Sequence, residues 1–218
     1  MIEYFSNISG QQATWAILVA LIFLFILFGI RRINEGRAKI VERLGRRHKV
    51  IRPGLNIIIP VIDRVKNSDF VLETTVKGQR VTLVHPDGIS IAEQRMDPPS
   101  KQLLAKDNSQ VNVDPIVYFR IIDPIKVVYD VIDFAGSFET LIETTLRQEV
   151  GKYDGDTIVT SRETLSDSLK LVLQQAASDW GITILRVEIE ELSFDEEVTK
   201  SLSDARQEEL KRKAELVG

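Results

Sequence analysis

Few residues in this sequence have the types and spacing that catalysis requires. The chain of 218 residues contains no cysteine, which excludes thiol nucleophiles, disulfides and thiolate zinc sites. Its two histidines, His48 and His85, lie far apart in the sequence. A histidine metal site or a Ser-His-Asp triad would therefore depend on one isolated imidazole. We expect His85 to be an exposed turn residue.

The acidic residues do not indicate catalysis either. Neighbouring pairs such as Asp154 and Asp156, or Glu190 and Glu191, carry little information because the chain contains 32 aspartates and glutamates. The sequence also has no glycine-rich nucleotide loop, no nucleophile elbow, no H-E-x-x-H motif and no EF-hand loop. We therefore predict a protein that is not an enzyme and that uses no metal or cofactor.

Basic side chains are concentrated in residues 31–52. This segment has a net charge of +7, although the whole chain has a net charge of −4. Its basic residues are Arg31, Arg32, Arg37, Lys39, Arg43, Arg46, Arg47, Lys49 and Arg52. Such a segment can bind nucleic acid, bind anionic lipid headgroups, or only orient a membrane helix. Because it follows an apolar run, we predict a role at the membrane and no nucleic-acid partner.

The apolar run before this segment is long enough to cross a membrane. Every residue from Trp15 to Ile30 is apolar or glycine, and residues 13–30 would span roughly 27 Å as a helix. A cleaved signal peptide is the alternative, but the sequence lacks its positive start and its small-residue cleavage site. We predict a single-pass anchor with its start outside the cell and its basic, C-terminal side in the cytoplasm. Trp15 would lie at the membrane interface.

The segment from Leu55 to Ile62 is apolar at nearly every position. It is too short to span a bilayer, and two flanking prolines disfavour a helix. We favour a fully buried strand. The alternative is a patch that dips into the headgroups beside the anchor, with Leu55, Ile57 and Ile59 as its membrane-proximal residues.

The rest of the first half shows the alternation of β-strands. Strands are predicted at residues 38–44, 48–51, 70–76 and 111–122, the last with an edge or a bulge at Pro115. We also predict that residues 81–84 and 89–91 pair as a β-hairpin, because His85-Pro86-Asp87-Gly88 is a strong turn signal.

The second half is predicted to be mainly helical. Residues 124–134 are expected to form one short helix, and residues 138–150 a second that ends at Gly151. Thr160 and Glu163 form a candidate capping box for a third helix. The apolar stripe of this third helix would consist of Leu165, Leu169, Val172, Ala176 and Trp180, before a stop at Gly181.

A strand follows at residues 182–192, so that the elements together predict an α+β domain. From Asp195 onward the pattern predicts a charged helix, with acidic residues first and basic residues last. Its thin apolar line consists of Val198, Leu202, Ala205 and Leu216. This helix would either be solvated or, as we favour, pack against neighbouring subunits as the beginning of a coiled coil.

Several separate segments occur in the order typical of a known family. They are GRAKIVERLGRRHKVIRPGLNIIIPVIDRV, AKDNSQVNVDPIVYFRIIDPIKVVYDV, ETTLRQEVGK, SRETLSDSLK and WGITILRVEIEEL. The chain from about Ile33 to its end resembles the stomatin/prohibitin family (SPFH, or band 7), in particular its bacterial stomatin-like, paraslipin-type members. Together with the apolar run, the resemblance predicts a membrane anchor at residues 1–32, an SPFH domain at 33–193, and the start of an oligomerisation helix at 194–218.

The resemblance also implies a function. Family members form membrane-bound rings or cages that enclose a membrane patch and regulate membrane proteins, including proteases. We accordingly expect a large homo-oligomer in the inner membrane, with anionic headgroups and membrane proteins as its partners. An accessory subunit of a membrane protease, or a membrane-associated hydrolase, is the alternative.

Residues at three places in the chain have a specific meaning within this resemblance. Lys106-Asp107-Asn108 matches a family turn that precedes a central strand. Leu146 and Arg147 match a helix that packs in subunit contacts, and we expect both at the oligomer interface. Glu149 departs from the family pattern, since an apolar residue is usual at that position.

Overall fold

The computed structural model describes residues 10–66, 71–76, 79–84 and 88–194. The helices are α1 (Gly10–Gly29), α2 (Pro124–Tyr129), α3 (Phe134–Val150), α4 (Gly155–Thr160) and α5 (Arg162–Ala177). The strands are β1 (Ile30–Ile33), β2 (Arg37–Arg43), β3 (Arg46–Ile51), β4 (Gly54–Ile57), β5 (Asp63–Lys66), β6 (Val71–Val76), β7 (Gln79–Val84), β8 (Ile89–Ser90), β9 (Glu93–Met96), β10 (Lys101–Leu104), β11 (Gln110–Ile121) and β12 (Ile182–Phe194). Antiparallel sheets combined with helices confirm the predicted α+β class.

The chain divides into two compact units, residues 1–69 with 85–90 and residues 70–84 with 91–218. In the first unit, β2 is the central strand and pairs with β3, β5 and β8. A separate two-stranded ribbon pairs β1 with β4. The core of this unit contains Ile33, Val41, Ile51 and Ile58, with Val65 packed against them. The strands predicted at 38–44 and 48–51 are confirmed as β2 and β3.

The second unit is built on two long strands, β11 and β12, which pair along their whole length. β9 and β10 pair with the other edge of β11, so that β11 is central. The β11–β12 register shifts between Asp114 and Pro115, which confirms the bulge predicted at this proline. The predicted strand at residues 182–192 is confirmed as β12.

Helices α3 and α5 pack in layers on this sheet. α5 lies on β12 and α3 lies on α5, and the ring of Phe138 meets the ring of Phe119 edge-to-face at 5.0 Å. Phe134 stacks on Phe138 at 5.6 Å between ring centres. These rings are buried, and they attach the first turns of α3 to the central strand. α3 ends before Gly151, and the short 3-10 turn after α5 ends at Gly181 with φ 77, both as predicted.

A turn at Lys106-Asp107-Asn108 connects β10 with β11 and also holds α4. Asp107 accepts hydrogen bonds from the N–H and Oγ of Ser109 and from the N–H of Gly155, 48 residues later. These bonds, above all that from the Ser109 hydroxyl, lower the pKa of Asp107. A Cβ on Gly155 would collide with Ser109 Oγ and lie 2.9 Å from the ring of Phe194. The turn therefore joins α4 to the end of β12.

Three helix predictions are corrected by the structure. α2 ends at Tyr129 instead of residue 134, because Asp133 accepts the N–H of Gly136 and begins a new helix. Thr160 does not cap α5, since it ends α4 and donates its hydroxyl to the Asp156 carbonyl at 2.8 Å. The buried stripe of α5 keeps a constant spacing of four and consists of Leu165, Leu169, Leu173 and Ala177. Val172 and Ala176 are half-buried.

The predicted hairpin between residues 81–84 and 89–91 is wrong. β7 pairs with β6, whereas Ile89 and Ser90 pair with Ala38 and Arg37 of β2. Gly88 has φ 106, and a Cβ there would lie 2.6 Å from the Ala38 carbonyl oxygen, so glycine is required for this close approach. His85 lies outside the described residues. The C-terminal residues Val198, Leu202, Ala205 and Leu216 lie outside them as well, and the boundaries at 32/33 and 193/194 stay predictions.

Candidate membrane-facing surface

Within the described residues, α1 is the one helix long and apolar enough to cross a membrane, judged by length and composition. The large apolar side chains that the structure describes on this helix are exposed, and Trp15 is 68% exposed. α1 ends at Gly29 and β1 begins at Ile30, with no loop between them. The ribbon therefore leaves the helix directly at the point where a membrane span would end.

The β1–β4 ribbon presents an apolar outer face. Its register pairs Ile30 with Ile57 and Arg32 with Leu55, and directly opposed residues share a face of a two-stranded ribbon. Leu55 and Ile57 are 79% and 65% exposed. The other face carries Ile33 into the core. We call Ile30, Leu55 and Ile57, with the exposed Ile59, Val61 and Ile62 that follow, the apolar patch.

The expectation of a fully buried strand at residues 55–62 is therefore wrong. β4 stops at Ile57, and Ile58 is the buried apolar residue of this segment. The ribbon has the core on one side only, so strand alternation sends Leu55 and Ile57 outward, and Ile59, Val61 and Ile62 are exposed in the turn that follows. The alternative, an exposed apolar patch beside the anchor, agrees with this exposure.

Two sets of bonds hold the apolar patch in place. The Ile58 N–H donates to the Gly29 carbonyl oxygen at 2.9 Å, and a Cβ on Gly29 would collide with the Ile58 carbonyl oxygen. In the following turn, the Asp63 carboxylate accepts the Ile59 N–H at 3.0 Å and the Arg43 guanidinium at 2.7 Å. The Arg43 hydrogen bond, with that of Ile59, lowers the pKa of Asp63 to about 2. The patch is thus attached both to the end of α1 and to β2.

The structure separates the predicted basic residues into two groups. Arg43 is paired with Asp63, Arg37 donates to the Gly88 carbonyl at 3.4 Å, and Lys49 donates to the Ile57 carbonyl at 3.3 Å. Arg47 also has a partner. The side chains that make no ion pair or hydrogen bond with another described residue are those of Arg31, Arg32, Lys39, Arg46 and Arg52. The first group supports the fold, and the second is free to meet an external anion.

The residues predicted for the oligomer interface lie in different surroundings. Leu146 is fully buried in its own chain, and Arg147 is exposed. Of this pair, only Arg147 presents its side chain at the surface. Glu149 is also buried, and its carboxylate is 2.6 Å from Lys152 Nζ.

The carboxylate pairs considered for catalysis do not form a site. Asp154 and Asp156 are exposed at the start of α4, and Glu190 and Glu191 are exposed on β12. Asp114 lies opposite Glu191, and its pKa is raised, mainly by burial. No group of three or more His, Asp or Glu residues in the described ranges is arranged to hold a metal ion.

Sequence analysis missed two surface residues next to the apolar patch. Leu44 is 81% exposed in a two-residue turn, has φ 50, and donates its N–H to the Ile62 carbonyl. Arg64 follows the patch and lies opposite Glu42 in the sheet. The available signal was the dipeptide Leu44-Gly45 between strands, since such turns require positive φ.

Comparison with known proteins identifies the family. The chain matches the SPFH domain / Band 7 family over residues 31–217. It belongs to this family. The SPFH chain is 32% identical to human stomatin-like protein 2, mitochondrial, over 84% of its own length and 46% of that protein. It is 29% identical to the stomatin-like protein stl-1 of Caenorhabditis elegans over 86% of its length and 52% of that protein.

An uncharacterized protein of Methanocaldococcus jannaschii is 30% identical over 92% of this chain and 90% of its own length. The chain spans about half the length of the stomatin-like relatives, and 56% of an uncharacterized Methanothermobacter thermautotrophicus protein. The predicted family is confirmed, and its members are in general non-enzymatic scaffolds at membranes. The bacterial subfamily stays a prediction.

Proposed function

We propose that this SPFH chain is an uncleaved single-pass protein of the inner membrane whose copies assemble into a ring or cage. The assembly would organise a membrane patch and regulate membrane proteins, including proteases. The start of the chain lies outside the cell, and both compact units lie in the cytoplasm. The observation that carries this proposal is the direct continuation of α1 into a ribbon with an outward apolar face.

Membrane insertion of α1 would bring this ribbon to the bilayer surface. The Ile58–Gly29 hydrogen bond limits how far the ribbon can turn away from the helix end. Leu55 and Ile57 then enter the boundary between headgroups and acyl chains, while the side chain of Arg32 reaches the headgroups. Each basic side chain near an anionic surface contributes about 1 kcal/mol to binding. Arg31, Arg46 and Arg52 are available for this role.

Assembly would depend on surfaces beyond the apolar patch. The predicted C-terminal helix has too few apolar residues to be buried by its own domain, which favours packing against neighbouring copies. Arg147 is the exposed family residue that would face a second subunit. Mass measurement by light scattering in mild detergent tests this part. A single species of many subunits is expected, whereas a monomer or dimer would indicate an anchored adaptor.

The membrane contact can be measured with single-cysteine labels, because the chain has no native cysteine. A fluorophore at Ile57→Cys in lipid nanodiscs should be quenched by a lipid-borne quencher at headgroup depth. The matched control is Leu171→Cys, an exposed leucine of α5, which should be quenched from water. Quenching of the Ile57 label only by a water-soluble agent would show that the ribbon does not touch the membrane.

The orientation needs a separate experiment. Ser6→Cys should react with a membrane-impermeant maleimide in intact cells, and Ile132→Cys should react only in inverted vesicles. The opposite pattern would reverse the proposed topology. Loss of residues 1–30 from the mature protein would favour the signal peptide instead of the anchor.

A further inference from the structure

The first unit contains a cleft next to the end of α1. It has a volume of about 760 Å³ and is bounded by β1, β2, β5 and the turn between β4 and β5. A volume of this size is within the range of small-molecule sites in proteins. Ile33 and Ile58, on the inner side of the ribbon, contribute to the wall of the cleft, and Arg32, Val61 and Ile62 connect it with the outward surface.

The charges around this cleft do not balance. Arg31, Arg32, Lys39 and Arg64 line it, and none of them is in an ion pair with another described residue. These four residues therefore bring positive charge to one concave surface. Their mutual repulsion would be reduced by a bound anion.

The two acidic residues in the wall offset only part of this charge. Asp63 is paired with Arg43 at 2.7 Å, and Glu42 is paired with Lys66 at 3.6 Å. Both cationic partners lie outside the cleft lining. Glu42 also lies opposite Arg64 in the sheet and reduces the charge there, but the lining still contains more basic than acidic residues.

The cleft also has an apolar rim, which restricts the kind of anion. Leu44 and Val61 line it and are each 81% exposed, and Ile62 lies beside them. Arg31 and Arg32 lie two and three residues after Gly29, the last residue of α1. A ligand with a phosphate group and attached hydrocarbon satisfies both features, whereas free phosphate would leave the rim in water.

We propose that this cleft binds the headgroup of one anionic phospholipid. The phosphodiester contacts Lys39 and Arg64 inside the cleft together with Arg31 and Arg32 at its mouth. The acyl chains lie along Leu44 and Val61. This inference rests on the proposed function, since it needs α1 in a membrane, and it adds a defined lipid site to the general attraction of basic residues for headgroups.

The test compares two double variants with the same change in charge. Lys39→Gln with Arg64→Gln removes two basic groups from the cleft lining, and Lys106→Gln with Arg162→Gln removes two exposed basic groups of the second unit. The full chain is equilibrated in mild detergent with equal amounts of phosphatidylglycerol and phosphatidylcholine. The lipids that it retains are then counted by native mass spectrometry. We expect the wild type and the second variant to retain one phosphatidylglycerol molecule in preference to phosphatidylcholine. The cleft variant should lose this preference by about tenfold.

Two further measurements make each result decisive. Extraction of the membranes at alkaline pH shows whether each variant stays in the membrane. A variant that is released would contradict the proposed function itself, independently of the result at the cleft. Melting temperatures of the variants show that the fold is kept. Equal loss of phosphatidylglycerol from both variants would overturn the cleft site while leaving general electrostatic attraction. Displacement of the lipid by millimolar inorganic phosphate would show a phosphate site instead of a lipid site.

Discussion

Asp63 and Arg43 form a two-bond ion pair across strands β5 and β2. Arg43 Nε lies 2.7 Å from Asp63 Oδ1, and Nη2 lies 3.2 Å from Oδ2. The Asp63 side chain is 1% exposed, and that of Arg43 is 38% exposed. Because the same carboxylate accepts the Ile59 N–H, this pair determines where the turn after the ribbon lies. The placement of the apolar patch therefore depends on one buried carboxylate.

Replacing Asp63 by asparagine should lower the melting temperature of the chain by several degrees. Asparagine keeps the shape but removes the negative charge, and its amide offers fewer acceptors to Arg43 and Ile59. The measurement is thermal unfolding in mild detergent. Glu35→Gln, at an exposed turn of the same unit, is the control and should melt as the wild type does. Equal melting of both variants would contradict the role of the pair.

Acid should weaken the first unit through the same residue. The pKa of Asp63 is about 2 in the folded chain and 3.8 ordinarily, so the unfolded chain binds a proton more readily. The stabilisation is complete above pH 3.8 and is lost as the pH falls toward 2. Unfolding followed between pH 5 and pH 2 should show a smaller pH effect in Asp63→Asn than in the wild type. An unchanged pH dependence would assign acid sensitivity to other carboxyl groups.

Substitution of Gly155 by alanine should destabilise the second unit by about 1 to 3 kcal/mol. The new Cβ would collide with Ser109 Oγ and crowd Phe194, and it would disturb the Asp107 bond to the Gly155 N–H. The control is Gly151→Ala, where the nearest atom to the new Cβ is 3.4 Å away. That control should change stability by less than about 0.5 kcal/mol in denaturant unfolding. An unchanged free energy of unfolding in Gly155→Ala would show that the turn adjusts easily to the added methyl group.

The buried Glu149 should tolerate loss of its charge better than loss of its partner. Glu149→Leu restores an apolar residue at a 4% exposed position and leaves Lys152 free to meet water, so stability should be kept. Lys152→Ala leaves a buried carboxylate without its ion pair and should cost about 1 to 3 kcal/mol. Lys106→Ala, at an exposed position, is the control for removing a lysine. The reverse order of the two effects would contradict this account.

Leu202→Asp should reduce the mass of the assembled chain. A carboxylate in the thin apolar line would be desolvated if this helix packs against another subunit. Ser203→Asp adds the same charge beside the line and should leave the mass unchanged. Light scattering in mild detergent distinguishes the two variants. Full assembly of Leu202→Asp would exclude this residue from the interface.

The sequence by itself was enough for features that depend on local composition or on motif order. An uninterrupted apolar run identifies α1, alternation identifies β2, β3 and β12, and the ordered segments identify the SPFH family. Gly151 and Gly181 mark helix ends, and at Gly181 the reason is its left-handed backbone with φ 77, which glycine accepts without strain. These signals act over a few residues and survive in any tertiary context.

Only the tertiary structure decided which side chains face outward and which charges are free. Apolarity at residues 55–62 is equally compatible with burial and exposure, and the pairing of β1 with β4 left Leu55 and Ile57 outside. Arg43 and Arg46 look alike in sequence, but a buried aspartate 20 residues away engages only Arg43. Such choices depend on contacts between distant parts of the chain, which local patterns of residue type do not encode.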